Sequence, residues 1–297
     1  MKEIELTALL SPEWGIVENH FITTQFGASV ICHTVDVSKI QLVFDAEYDG
    51  LTFEVQINHS VWTEYVVIDK KLTIDIREHE ADICIILRTW LTDSLNFWQH
   101  PVTLTTLLVD QGIVTPVNSN LPYITFVGDS ITAGESMDVN GHHPELSYPF
   151  LVAEALKKPL NRIAYGGTGL TASAPFQQPT AVEALWHVAD NVIRPRVVTD
   201  LVIINYGTND FNYGATQEAF AFGLRIYLLE LIKRFHSAKM VLLIPFSGAF
   251  ETIYQREIKR FDNFVILDTS HWQIDNERVH PLMADHQRIA ELILKGL

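Results

Sequence analysis

Residues 123–130 read YITFVGDS, an apolar run rich in β-branched and aromatic side chains that stops on Gly128-Asp129-Ser130. A short apolar run ended by turn residues is the pattern of a strand buried on both faces. The pattern recurs downstream in LVIINYG (201–207), KMVLLIPF (239–246) and FVILD (264–268). Between these runs lie stretches of helical character: SYPFLVAEALKK (147–158), ATQEAFAFGLRIYLLELIKRFH (215–236), ETIYQREIKRF (251–261) and MADHQRIAELILKG (283–296). Strands alternating with helices predict a parallel sheet covered on both faces, a three-layer α/β/α domain.

Upstream the texture differs. ASVICHTV (28–35), IQLVFDAE (40–47), TFEVQIN (52–58), TEYVVID (63–69), LTIDI (72–76) and ADICIILRTW (81–90) are β-rich, and several alternate polar with apolar residues. Turn residues separate them at Asp49-Gly50, Asn58-His59-Ser60 and Asp69-Lys70-Lys71. Strands spaced roughly ten residues apart predict an antiparallel, jelly-roll-like β-sandwich. The Pro- and Asn-containing stretch near Gln111–Leu121 reads as a linker. The expected domains are therefore a sandwich over residues 1–115 and an α/β domain over 116–297.

Composition narrows the class. The net charge is −15, from 36 acidic and 21 basic residues among 297. Such a field opposes phosphate backbones, so a nucleic-acid partner is not expected. The apolar runs are far shorter than the roughly 20 residues of a membrane-spanning helix. Acidic Glu3 and Glu5 interrupt the N-terminal stretch and no long apolar segment follows, so no signal peptide is read and the expected location is cytoplasmic. The two cysteines, Cys32 and Cys84, lie in strand-like segments and read as buried thiols, with a bond between them left open.

In open α/β sheets, sites form at the carboxyl ends of strands. Polar motifs fall at such ends here: Gly128-Asp129-Ser130 after the first strand, the Gly-rich NRIAYGGTG (161–169) after a short strand, and Gly207-Thr208-Asn209-Asp210 after LVIINY. A further motif, Asp275 to Pro281, precedes the last helix and contains Glu277 and His280. A serine hydroxyl becomes a nucleophile when a base takes its proton, and histidine titrates in the right range. A carboxylate commonly orients that histidine, and the developing oxyanion needs fixed donors. Ser130, His280, Gly167 and Asn209 can fill the roles of nucleophile, base and donors.

In type and order these blocks resemble the SGNH (GDSL) hydrolase superfamily. The resemblance implies Ser130 as nucleophile and His280 as base. It also implies an oxyanion hole from the N–H groups of Ser130 and Gly167 and the amide of Asn209, with no metal or organic cofactor. A β-sandwich ahead of such a domain is similar to family 2 carbohydrate esterases, which implies removal of small acyl groups, acetyl above all, from a carbohydrate ester. Glu277 stands three residues before His280, where the superfamily usually has aspartate. Glu277 or Asp275 can orient the imidazole, or a backbone carbonyl can replace both in a Ser–His dyad.

Other readings compete. An α/β-hydrolase nucleophile needs G-x-S-x-G, and Thr132 stands at the second glycine. A lipase or thioesterase would carry an apolar groove, whereas the stretch between Ile131 and Tyr148 is polar, with Glu135, Asp138, Asn140, His142, His143 and Glu145. A non-catalytic carbohydrate-binding protein would not need Ser130, Asn209 and His280 together. Asp129 and Asp210 read as structural, and Gly166 and Gly169 as turn glycines. His142 and His143 with Asp138 and Glu145 read as a polar loop beside the nucleophile, because their spacing matches no metal motif. His286 reads as a packing or surface residue. Trp98, Trp186 and Trp272 read first as core or domain interface; Trp272, on the His280 loop, is the candidate for substrate contact.

Overall fold

The computed structural model describes residues 1–297 apart from Asn118, Asn276 and Glu277. The backbone divides into two compact units: Met1–Asn120 with His187–Pro195, and Leu121–Trp186 with Arg196–Leu297.

The first unit is built from β1 (Lys2–Ile4), β2 (Gly15–Val17), β3 (His20–Thr23), β4 (Ser29–Val35), β5 (Lys39–Phe44), β6 (Thr52–Ile57), β7 (Thr63–Val66), β8 (Lys71–Asp75) and β9 (Glu80–Thr89), then helix α1 (Ser94–Gln99), β10 (Val102–Val109) and β11 (Ile113–Pro116). One sheet runs β2-β3-β10-β5-β8 with β1 also on β10, and the other runs β11-β4-β9-β6-β7. All pairings in both are antiparallel. In β5, Ile40, Leu42 and Phe44 are buried and the residues between them are half-buried, the two-residue period of a strand with one face on the core. Ile74, Ile83, Ile85 and Leu107 from both sheets share that core.

The stretch read as a linker contains β11, which pairs with β4 at the sheet edge and ends on Pro116. Proline lacks an N–H and is tolerated at an edge, which is why a turn-like composition hid a strand. Cys32 and Cys84, on neighbouring β4 and β9, are free thiols.

The second unit opens with β12 (Tyr123–Gly128), helix α2 (Ser130–Ala133), α3 (Tyr148–Ala155), β13 (Leu160–Ala164) and α4 (Ala181–Trp186). The chain then enters the first unit as a hairpin, β14 (His187–Ala189) and β15 (Val192–Ile193). There Val188, Ala189 and Val192 pack on Ile22, and the Thr24 hydroxyl donates to the Val188 carbonyl at 2.5 Å. The second unit resumes with β16 (Thr199–Asn205), α5 (Thr208–Asn212), α6 (Gln217–Phe235), β17 (Lys239–Leu243), α7 (Glu251–Glu257), β18 (Phe264–Leu267) and α8 (Met283–Gly296).

Its sheet is wholly parallel, in the order β13-β12-β16-β17-β18. Phe126, Ile203, Val241 and Leu243 on one face pack with Tyr148 and Val152 of α3 and Ile289 and Ile293 of α8. The alternate residues Val127, Val202, Ile204 and Leu242 are also buried, on the opposite face. Buried Phe220, Leu224, Tyr227 and Leu228 of α6 mark the helical layer there, which completes the three layers. No helix among the described residues is long and apolar enough to cross a membrane.

Chain order reverses between β12 and β16, since β13 lies on one side of β12 and every later strand on the other. At such a switch point the loops diverge and leave a crevice. The register fixes its floor: Gly128 is level with Ala164 on one side and with Asn205 on the other. A Cβ on Gly128 would lie 2.1 Å from Thr132 Oγ1 and 2.6 Å from the Asn205 carbonyl oxygen. The glycine is therefore needed for the strand to turn back into α2. Gly128→Ala is expected to lower stability by about 1–3 kcal/mol, the usual cost of overpacking. Urea unfolding of the two proteins side by side measures it, and an unchanged midpoint would contradict this reading.

Candidate active site

Ser130 is the first residue of α2, and Asp129 caps that helix by accepting the Ile131 N–H at 3.1 Å. The Ser130 side chain therefore stands at the rim of the sheet. Its Oγ lies 2.9 Å from Nε2 of His280, although 150 residues separate the two in sequence. Burial holds the His280 imidazole below its ordinary pKa of 6.5, in the neutral form a proton acceptor needs. Of the two carboxylates weighed for His280, Glu277 lies outside the described residues, and Asp275 is exposed on the wall of the adjoining cleft.

The glycine loop supplies the opposite wall. Residues 165–168 form a turn closed by the Thr168 N–H on the Tyr165 carbonyl at 3.4 Å, with Gly167 at φ +73° in the third position. A positive φ there is the demand of a type II turn, which glycine meets without strain. The closing bond uses the N–H of Thr168 and not that of Gly167. The Asn209 amide donates to the Thr168 carbonyl at 2.9 Å, which orients the carboxamide on the same turn. An amide nitrogen carries a second hydrogen for another acceptor. The structure thus brings Ser130, His280, Gly167 and Asn209 to one crevice.

Gly166 holds the second position of that turn, as a turn glycine, and it and Gly169 also serve another purpose. Their backbones approach carboxyl groups: a Cβ at Gly166 would lie 2.3 Å from Glu135 Oε2, and one at Gly169 would lie 2.7 Å from Asp210 Oδ2. Asp210 accepts from the N–H groups of Leu170 and Thr171 at 3.0 and 2.8 Å, and from the Thr171 hydroxyl at 2.7 Å. It ties the glycine loop to the helix that carries Asn209, the structural role expected for it.

Other side chains brace Ser130. Buried Arg162 donates to the carbonyls of Ala133 and Pro144 at 3.1 and 2.9 Å and to the Ser147 hydroxyl at 3.1 Å. It clamps the end of α2 to the loop that follows. Arg162 lies inside the NRIAYGGTG stretch, which was read for its glycines and not for this arginine. His286 is fully buried, stacks on Tyr148, and accepts the Tyr148 N–H at 3.1 Å through Nδ1. Burial drives its pKa down to about 3, so it stays neutral and acts as a packing residue. His143 sits between Glu145, at 2.9 Å, and Asp138, at 3.2 Å. No group of three or more metal-ligating side chains occurs among the described residues.

Trp272 is the candidate for substrate contact among three tryptophans read first as core or domain interface. It is buried with Phe246, ring centroids 6.1 Å apart, in the core beneath α3 and α8. With Ile274 it anchors the loop that presents His280, and it is not among the described residues that line the adjoining cleft. Trp98 is also buried, and Trp186 is stacked under Arg196 and Arg234.

Beside the Ser130–His280 pair opens a cleft of about 110 Å³. Ile131, Phe246, Ile274, Val279 and Pro281 supply its apolar lining, and Thr208, Asn212, Ser247, Asp275 and Arg278 its polar groups. A larger apolar hollow of about 340 Å³ lies between Gly169–Val182 and α6, and neither Ser130 nor His280 lines it.

A parallel three-layer sheet with a serine–histidine pair at its switch point and two candidate oxyanion donors beside it has the architecture of a hydrolase. The family model described as GDSL-like Lipase/Acylhydrolase family matches residues 126–287. The chain belongs to this family and is a carboxylic ester hydrolase. Its fold is that of solved family two carbohydrate esterases. One from Cellvibrio japonicus is 19% identical, with TM-score 0.81 over 99% of this chain and 96% of that one. Another, from Clostridium thermocellum and in complex with cellohexaose, is 17% identical, with TM-score 0.79 over 97% of each chain. An acetyl xylan esterase from Butyrivibrio proteoclasticus is 14% identical, with TM-score 0.79 over 100% of this chain and 98% of that one. No curated protein matches the sequence.

Asp129 generates a test of this electrostatic description. Burial, with smaller contributions from Glu135 and Asp210, pushes its carboxyl up to about 7. A carboxyl whose folded pKa exceeds its unfolded value binds more protons when folded, so its contribution to stability falls as pH rises between the two. Asp129→Asn keeps an oxygen for the Ile131 N–H but cannot ionise. Its stability relative to wild type is expected to improve between pH 4 and pH 7, the window bounded by the ordinary value of 3.8 and the value of about 7. Urea midpoints across that range measure it, and a constant difference would refute the buried-charge account.

Proposed function

We propose that this chain is a serine esterase that removes small acyl groups, acetyl in particular, from a carbohydrate ester. The observation that carries the reading is the 2.9 Å bond between Ser130 Oγ and His280 Nε2 at the switch point. In this mechanism His280 takes the Ser130 proton as Oγ attacks the acyl carbon. The charge on the carbonyl oxygen is met by the N–H groups of Ser130 and Gly167 and by the Asn209 amide. The imidazolium returns its proton to the leaving alcohol, which departs and leaves an acyl-serine. Water, activated by the same histidine, releases the acid. No cofactor enters these steps.

Two features support a small, polar substrate. The cleft of about 110 Å³ is smaller than the roughly 150 Å³ cavity that holds a benzene molecule, so an eight-carbon chain is a poor fit. Its wall also offers Asn212, Ser247, Asp275 and Arg278, donors and acceptors suited to hydroxyl groups. The carbohydrate part of the proposal draws on the names of the structural relatives described above. Glu277 and Asp275 stay as alternative orienting carboxylates beside a simple dyad.

Wild type is expected to hydrolyse p-nitrophenyl acetate, and Ser130→Ala to lose at least about a thousandfold in kcat. Rates should fall from acetyl to octanoyl esters, and a preference for octanoyl would end the acetylesterase reading. The acid limb of kcat/KM reports the base of the free enzyme and should have its midpoint below 6.5, because protonating His280 removes the acceptor. Loss of an orienting carboxylate can cost about 10⁴ in kcat. Such a loss in Glu277→Ala or in Asp275→Ala identifies that carboxylate; two variants within a few fold of wild type identify the dyad.

A further inference from the structure

Glu135 has no part in the proton transfers above, yet it stands between the nucleophile and the oxyanion turn. Its N–H donates to the Ser130 carbonyl at 3.0 Å, so its backbone is fixed to the end of α2. Its carboxyl accepts the backbone N–H of Gly166. Oε2 and Oε1 lie 2.3 and 2.8 Å from where a Gly166 Cβ would be, so the carboxyl occupies the space that residue 166 leaves by lacking a side chain.

We infer that Glu135 is a positioning residue for the oxyanion hole: by holding the Gly166 N–H it sets the direction in which the adjoining Gly167 N–H points. The inference rests on the esterase reading of the site. Three further anchors pin the turn on its other sides. The Thr168 N–H is bound to the Tyr165 carbonyl, the Gly167 carbonyl accepts the Phe176 N–H at 3.1 Å, and the Thr168 carbonyl accepts the Asn209 amide at 2.9 Å. The Thr168 hydroxyl also donates to the Tyr165 carbonyl, at 2.7 Å, so the carbonyl end of the Tyr165–Gly166 peptide is held by Thr168 and its N–H end by Glu135. Without Glu135 the N–H end of that peptide loses its partner, the Gly166 backbone can swing about the held carbonyl, and the Gly167 N–H in the next peptide plane leaves the direction in which the oxyanion would form. Removal of one oxyanion donor costs about 10²–10³ in kcat, so loss of its alignment should cost about tenfold to a hundredfold.

The test uses the full-length protein with p-nitrophenyl acetate as substrate. Glu135→Ala should lower kcat about ten- to a hundredfold with KM within about twofold, because the donor serves the transition state more than the bound ester. Glu135→Gln retains an amide oxygen to accept the Gly166 N–H and should recover most of the rate. Gly166→Ala, whose Cβ would displace the carboxyl, should reproduce the loss. Combining it with Glu135→Ala should add little, since both changes break the same bond. Thermal midpoints of all variants separate a folding defect from an alignment defect, and Glu135→Gln carries the test if Glu135→Ala does not fold. Overturning results are a Glu135→Ala kcat within twofold of wild type, losses that add in the double variant, or a Glu135→Gln protein that is folded and as impaired as Glu135→Ala. Equal rates for wild type and Ser130→Ala would instead overturn the esterase reading, and this role with it.

Discussion

Strand β12 ends at Gly128, level with Ala164 of β13 and Asn205 of β16, and the site depends on this register. Three loops leave the sheet from one line and carry Ser130, Gly167 and Asn209. His280 comes from a fourth segment, which the buried anchors Trp272 and Ile274 hold against the same core. A parallel strand displaced by a single residue would turn its inward side chains outward. Because Phe126, Ile203 and Val241 are buried on one face and Val127, Ile204 and Leu242 on the other, the packing of both helical layers keeps the catalytic loops in step.

The electrostatics around Ser130 are governed by buried acids. Asp129 and Glu135 are both pushed up to about 7, chiefly by burial, and Asp210 is raised for the same reason. Each accepts a backbone N–H: that of Ile131, Gly166, and Leu170 with Thr171, respectively. The bonds favour the ionised forms, and the low dielectric with mutual repulsion opposes them. Full negative charge on all three would oppose an oxyanion forming beside them, so their raised values suit the chemistry proposed. His280, the base proposed here, shows the matching effect, since burial lowers its pKa and a cation would be useless as an acceptor.

Much of this was legible in the residues. The buried strands of the second unit announce themselves as apolar runs, and every motif at their ends lies in the crevice. The last helix follows the sequence reading over Met283–Gly296. What escaped was non-local. Pro116 suggested a linker, yet β11 is an edge strand that makes no demand on the missing N–H from an outer neighbour. Gly166 is the turn residue it was read as, but a sequence does not show that a carboxyl group will also lie against its backbone and against that of Gly169. Trp272 was placed near the site by its sequence distance to His280, but its bulk serves to seat that loop in the core. Arg162, inside the glycine-rich motif, and Glu135, in the polar stretch after Ile131, were given no role of their own, because their importance arises from what they span.

The hairpin of β14 and β15 has a consequence for how the chain can be divided. The backbone passes between the two units at three places, after Asn120, Trp186 and Pro195. A fragment beginning at Leu121 would keep Val188, Ala189 and Val192 but leave behind Ile22, the residue they pack on. It would also strand the Val188 carbonyl, whose donor is Thr24. Neither unit is therefore a contiguous piece of sequence that can be excised whole. Sequence gain or loss on either side of the hairpin must leave intact a small apolar plug that one half of the molecule lends to the other.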